Sequence, residues 1–322
     1  MKYLFFDIEC SNCFNGVGKM CEFGYVLMDE QCNIIKLGDI PMSPGRGGEN
    51  RFYLKGRKHE KDLELAYDYE FYYSQPEFPA FYERIKAMME DKDTVCFAYS
   101  MDNDIPHLYH ACKRYKKEPL NYTCYDVQKL VSVCLERKGQ MALKKACLEI
   151  VGPNTVVKLQ EHLSRDDAQM EKLIFEAICI FEKKTPIELL EVSEYAKTNS
   201  IEYMNKAKER KEKKKLKTAG HELYRSLLSD EAELDKPENI GRRYNVSGQL
   251  KADFNALKVT INLIKEKNGL FSNHLTRTDF FIVYDEKNRE DILKRLENPF
   301  EGRIITYQEF TEGTSYQGIG YA

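Results

Sequence analysis

Three short β-rich runs, YLFFDIEC, FGYVLMD and NIIKLGDI, follow one another within the first forty residues, separated only by short polar or turn-forming stretches. Consecutive runs of this kind read as sequential strands of one sheet. The pattern then changes. EFPAFYERIKAMMED (77–91) sets Phe78, Phe81, Ile85 and Met88 at helical spacing. DTVCFAYS reads as a further strand, and IPHLYHACKRYK as a helix with a proline near its start. YTCYDVQKLV, MALKKACLEIVG and HLSRDDAQMEKLIFEAICIFEKK complete the alternation. Three early strands followed by strand–helix alternation predict a mixed sheet covered by helices.

The chain has 322 residues, room for more than this one domain. Between about 186 and 237 the character shifts: MNKAKERKEKKKLKT (204–218) carries eight Lys or Arg against two Glu. Such a run is either a solvated helix or linker or a nucleic-acid-facing segment. From 238 a strand-like RRYNVSGQL, an amphipathic ADFNALKVTINLIKEKNG closed by Gly269, a DFFIVYD strand, an NREDILKRLEN helix and a GRIITYQEF strand predict a small βαββαβ module. The expected division is therefore 1–185, a helical basic linker at 186–237, and 238–322.

A hydrophobic content of 42% with 31% charged residues fits a globular chain. The net charge of −3 offers no overall attraction to nucleic acid, so binding must be local. Ten cysteines scattered through apparent core segments, without signal-peptide character at the N-terminus, read as reduced thiols of a cytoplasmic protein. CSNC (10–13) is a lone CxxC with no second pair to complete a zinc site.

The residues that carry chemistry are acids in awkward places. Asp7 and Glu9 stand two apart at the end of an apolar strand, so they project to one face. Either they sit at a solvated strand end and mean little, or, ionised and buried, they need a cation; a hard, oxygen-seeking one such as Mg²⁺ or Mn²⁺ would suit them. AYSMDNDIPHL offers Asp102 and Asp104 where a strand hands over to a helix; Asn103 or Asp104 could equally cap that helix ahead of Pro106. EHLSRDDAQ offers His162 and Asp167. Ser164 with Asp167 has capping-box spacing, which leaves His162 unexplained. A histidine there has a near-neutral pKa suited to proton abstraction.

These three segments together resemble the DEDDh exonucleases of the DnaQ-like group. The first motif, D-x-E, is matched by Asp7 and Glu9, and the third, H-x4-D, by His162 and Asp167. Asp104 is the best match to the second; DNDIPHL departs from the commoner wording, so Asp102 remains an alternative. The resemblance implies an RNase H-like fold and two Mg²⁺ or Mn²⁺ ions. Asp7 would bridge the ions, Glu9 and Asp167 would complete the site of the attacking water, and Asp104 would hold the second ion. His162 would take the water's proton. Cys10, Ser11 and Asn12 would line the terminal nucleotide. Tyr99 would either stack on a base or pack in the core, and Arg46 or Arg51 would either grip phosphate or sit in a solvated loop.

Residues 238 to about 312 resemble a BRCT domain, carried by "SG" at 247–248, TDFFIVYD and IITYQEF, although the chain has no tryptophan. That resemblance would make Ser247, Gly248 and Lys294 phosphate-binding; otherwise Ser247 is a turn residue and Lys294 a solvated charge. The implied activity is a 3′→5′ exonuclease releasing nucleoside 5′-monophosphates from single-stranded or frayed DNA ends, with a docking module for a repair or replication protein. The alternatives are an exoribonuclease and a non-catalytic phosphoprotein-binding scaffold.

Overall fold

A computed structural model describes residues 1–14, 17–45, 65–156, 158–296 and 300–313; the side chains at 12–14, 17, 155 and 156 are outside that description, as are Arg46 and Arg51. Met1–Lys206 form one compact unit and Ala207–Ala322 a second.

The first unit is built on β1 (Lys2–Phe14), β2 (Val17–Met28), β3 (Ile34–Pro41), β4 (Thr94–Ala98), β5 (Thr123–Asp126) and β6 (Lys197–Asn199). They lie in the order β3-β2-β1-β4-β5-β6, with β1–β3 antiparallel, β4 and β5 parallel to β1, and β6 antiparallel at the edge. The helices are α1 (Tyr69–Ser74), α2 (Tyr82–Met89), α3 (Met101–Arg114), α4 (Val127–Cys134), α5 (Leu143–Ile150), α6 (Pro153–Val156), α7 (Ser164–Glu182) and α8 (Pro186–Glu191). This is the mixed sheet flanked by helices expected of an RNase H-like chain.

Strand alternation divides the core in two. Leu4, Phe6 and Ile8 point to the face covered by α2 and α3, where they meet Ile85, Ile105 and Leu108. Tyr3 and Phe5 point to the opposite face, under α4, α5 and α7, where Phe5 stacks on Phe97 at 4.6 Å and meets Phe175 at 5.5 Å. Each fully buried phenylalanine of this layer contributes roughly 1.5–3 kcal/mol of apolar burial. By the same alternation Asp7 and Glu9 continue the Tyr3–Phe5 row, toward α7.

The stretch read as linker contributes to this unit. Thr185 and Glu188 form a capping box that starts α8, whose Leu189 and Leu190 are buried in the α7 layer. Thr198 pairs with Cys124 in β6. The boundary between units falls within α9 (Ser200–Arg225), and residues 208–218, the basic run, are exposed throughout.

The second unit adds α10 (Glu231–Leu234), β7 (Arg243–Val246), α11 (Gly248–Ala252), α12 (Phe254–Glu266), β8 (Leu270–Phe271), β9 (Phe280–Val283), α13 (Glu286–Leu293), β10 (Arg303–Thr306) and α14 (Tyr307–Glu312). The four strands are parallel, in the order β10-β9-β7-β8. Tyr224, near the end of α9, packs in this core and donates its hydroxyl to the Ser272 carbonyl at 2.7 Å. α12 closes differently from expectation: Asn268 takes the left-handed conformation, φ 50°. Gly269 is required because a Cβ there would lie 2.6–2.7 Å from the Tyr244 ring and Ile264. Nine cysteines are free thiols; Cys13 lies outside the described side chains. Among the described residues no helix is long and apolar enough to cross a membrane.

Candidate active site

Beyond the Phe5–Phe97 pair β1 has no register partner in β4, so the second half of β1 has a free edge on that side. Asp104 fills it. The chain leaves β4, Ser100 sits at the N-cap of α3, and the buried Asp104 carboxylate one turn on lies near the Ile8 backbone between Asp7 and Glu9. Asp104 is therefore not a cap, and Pro106 lies inside the helix rather than opening it. Asp102 turns the other way, to the Tyr203 hydroxyl at the surface. Of the two candidate acids, it is Asp104 that meets Asp7.

α7 brings the third segment. The expected Ser164–Asp167 capping box does not form, because Leu163 is the N-cap and Ser164 is already helical. Instead Glu22 of β2 caps the helix from outside. Its Oε1 accepts the Ser164 N–H and the Ser164 hydroxyl, both at 2.7 Å, while its Oε2 accepts the Tyr72 hydroxyl at 2.6 Å. Asp39 lies against the same serine at 3.2 Å, and burial, then the Glu22 charge, pushes its pKa up to about 7. Freed from capping duty, Asp167 faces the sheet and accepts the His162 N–H at 3.1 Å. That bond holds His162 at φ 62°, an unusual conformation for a side-chain-bearing residue and one met at functional sites.

The approach of α7 to β2 is set by Gly24, the register partner of Asp7. A Cβ there would stand 2.0 Å from the Ser164 carbonyl carbon and 2.1 Å from the Arg165 nitrogen. Both are backbone atoms of the first helical turn, so nothing flexible can give way. Gly24→Ala is expected to cost at least roughly 3 kcal/mol, because α7 must lift off the sheet. Urea unfolding measures it, and an unchanged midpoint would contradict the close approach.

The result is a convergence of five side chains. His162 Nδ1 lies 3.5 Å from Glu9 Oε1, and ligand atoms of Glu9, His162 and Asp167 all lie within 4.8 Å of one another, an arrangement that could hold a metal ion. Burial raises the Asp7 pKa well above the carboxylate range, and the charges of Asp104, Glu9 and Asp167 add to it. Asp104 is raised well above its ordinary value by burial and then Glu9. Asp167 is pushed up to about 7, first by burial and then by Glu9. Glu9 is raised by burial against the opposing His162 hydrogen bond, and His162 is raised mainly by that same bond. Like charges have been gathered at one place with His162 as the cationic group beside them, and Oδ2 of Asp7 has no hydrogen-bond partner among the described residues. A hard divalent cation fits this donor set.

The nucleotide-contact candidates fare differently. Tyr99 is 6% exposed, and its hydroxyl donates to the Met141 carbonyl at 2.8 Å. It packs in the core, which corrects the base-stacking alternative: the ring is covered by its own domain. Ser11 is also buried, donating to the Lys19 carbonyl at 3.2 Å, while Cys10 is half-buried and the Asn12 side chain is outside the described residues. In the second unit Ser247 is 2% exposed and caps α11 by accepting the Leu250 N–H, as a turn residue would. Gly248 is the first residue of α11, and Lys294 is exposed at the C-cap of α13.

Sequence reasoning overlooked two acids. Glu22 interrupts the apolar run MCEFGYVLM, and Glu171 interrupts the apolar stripe of α7; an acid inside a core-facing pattern was the available signal. Glu171 is fully buried, and its Oε1 accepts the Tyr99 N–H at 3.0 Å.

No family model matches the chain, and no curated protein matches its sequence significantly. Solved structures are similar at low identity. A 3′-exonuclease described in 3′-end-specific recognition of histone mRNA stem-loop is 13% identical over 57% of this chain and 83% of its own, with a TM-score of 0.44. The nuclease domain of 3′hExo, a DEDDh family member bound to rAMP, is 13% identical over 57% and 94%, also at 0.44. Exonuclease I of E. coli with a dA16 oligonucleotide is 12% identical over 56% of this chain at 0.43, and this chain spans 41% of its length. The solved structures similar to this chain thus include 3′-exonucleases, alike over rather more than half of its length.

Proposed function

We propose that the chain is a metal-dependent 3′→5′ exonuclease of the DEDDh type, releasing nucleoside 5′-monophosphates from single-stranded or frayed DNA ends. The observation that carries the reading is the meeting of Asp7, Glu9, Asp104 and Asp167, from three distant segments, with an Asp7 oxygen that has no partner among the described residues and His162 at the rim. Those four acids would hold two Mg²⁺ or Mn²⁺ ions. When bound, such ions polarise a phosphodiester and make water a nucleophile at neutral pH.

The chain's own contributions follow from its geometry. Glu9 holds His162 through Nδ1, which leaves Nε2 as the ring nitrogen to accept a proton from water. The Asp167–His162 backbone bond fixes where that ring starts. The first turn of α3 carries Asp104 to the strand that holds Asp7 and Glu9. Pre-set groups of this kind reduce the reorganisation needed during reaction. The second unit runs β7, α11, α12, β8, β9, α13, β10, α14; we assign it, as a BRCT-like module, the docking of a DNA end or of a repair or replication protein.

The test uses purified full-length protein with 3′-terminal DNA and RNA oligonucleotides and Mg²⁺ or Mn²⁺. Stepwise mononucleotide release, faster on DNA, is expected from the wild type and is lost in His162→Ala and Asp7→Ala. Faster RNA degradation would make the enzyme an exoribonuclease. Cleavage that persists in Asp7→Ala, or none with either metal, would reject the enzymatic reading and leave a binding scaffold.

A further inference from the structure

Glu171 stands one helical turn beyond Asp167 on α7, so the two carboxyls share a face of the helix. It lies among Met170, Ile174 and Phe175 and is 0% exposed. Its Oε1 accepts the Tyr99 N–H, but Oε2 has no hydrogen-bond partner among the described residues. Holding one backbone N–H does not account for an acid here. A glutamine oxygen would serve that bond equally, whereas a buried carboxylate oxygen left alone is costly. Of the charges felt by Glu171, that of Asp104 is the largest and that of Asp167 next, and Glu171 in turn acts on Asp7. The carboxyl therefore stands within electrostatic reach of the acid cluster, on the helix face of Asp167 and bonded to the strand end that leads to Asp104.

Its anchor matters as well. Tyr99 joins the end of β4 to Ser100, the N-cap of α3, and Asp104 is in the first turn of that helix. One hydrogen bond thus ties the helix of Asp167 to the turn of Asp104, segments more than sixty residues apart. We propose that Glu171 is a positioning carboxyl of the cation site, fixing the β4–α3 turn against α7 and presenting a buried acceptor on the Asp104 side. The role rests on the metal-dependent reading above.

The test needs no substrate. Mn²⁺ alone is titrated into the full-length protein, free Mn²⁺ is followed by electron paramagnetic resonance, and melting is recorded in EDTA. Glu171→Gln retains an oxygen for the Tyr99 N–H and is expected to lose about tenfold or more in Mn²⁺ affinity, with no fall in metal-free melting temperature. Glu171→Asp, retracted by one methylene, is expected to fall between the two. Wild-type affinity in Glu171→Gln would reduce Glu171 to a backbone anchor and overturn the proposal; if that variant does not fold, wild-type affinity in Glu171→Asp does the same. A wild type that binds no Mn²⁺ would sink the metal-dependent reading itself, a result distinct from equal binding by wild type and variant.

Discussion

Asp7→Asn is expected to lower the rate of nucleotide release at least about a thousandfold while leaving the metal-free fold as stable as the wild type, or more so. The two effects have one origin. Asp7 is placed among Asp104, Glu9 and Asp167 with an oxygen that meets no donor among the described residues, so in the absence of a cation its charge is repelled by all three. Asparagine keeps the shape and removes that charge, which relieves the empty site. The same change withdraws an anionic ligand from the centre of the acid group, and the loss of several kcal/mol of transition-state charge stabilisation amounts to three or more factors of ten. Rates on a 3′-labelled oligonucleotide and melting in EDTA measure the two halves. A variant that melts well below the wild type would show Asp7 to be a structural residue, and a variant that retains activity would remove it from the reaction.

Metal-free protein is expected to lose stability as pH rises from about 5 to 7.5, and a divalent cation to restore it. Asp167 titrates near 7 and Asp126 near 6 in the folded state, both well above the ordinary value of 3.8, and His162 is also raised. Groups raised on folding bind protons more tightly in the native state. Their contribution is fully present below their unfolded pKa and disappears as pH passes the folded one. Burial lowers His107 and His221, which oppose the trend around pH 6. Raised from 3.8 to about 7, Asp167 alone corresponds to roughly 3 kcal/mol across this pH window, or about 5–10 °C for a unit of this size. Protons and cations compete for the same carboxylates, so the Mn²⁺-induced rise in melting temperature is expected to be larger at pH 7.5 than at pH 5. A flat profile in EDTA with no metal response would mean that the acids are neither coupled nor a cation site.

The strands around Asp7 and Glu9 were legible because alternation is a local property: Tyr3, Phe5, Asp7 and Glu9 must share a face whatever the rest of the chain does. The pairing of His162 with Asp167 was legible from spacing. Local chemistry misled at the helix starts. Ser164 and Asp167 have capping-box spacing, yet Ser164 spends its hydroxyl on Glu22, 142 residues away, and Asp167 is released toward the sheet. Tyr99 looked available for stacking because its burial depends on α5 and α7, whose positions no local pattern encodes.

The amino-acid order thus determined by itself the strands and helices with strong local patterns, though not α8 or β6, and which acids stand at strand ends, since periodicity and turn chemistry act over a few residues. The tertiary structure alone decided that Asp104 rather than Asp102 faces Asp7, that Gly24 and Glu22 seat α7, and that Glu171 reaches the acids from behind. Those outcomes depend on contacts between segments brought together only when both faces of the sheet are covered, and on the cost of enclosing charge there.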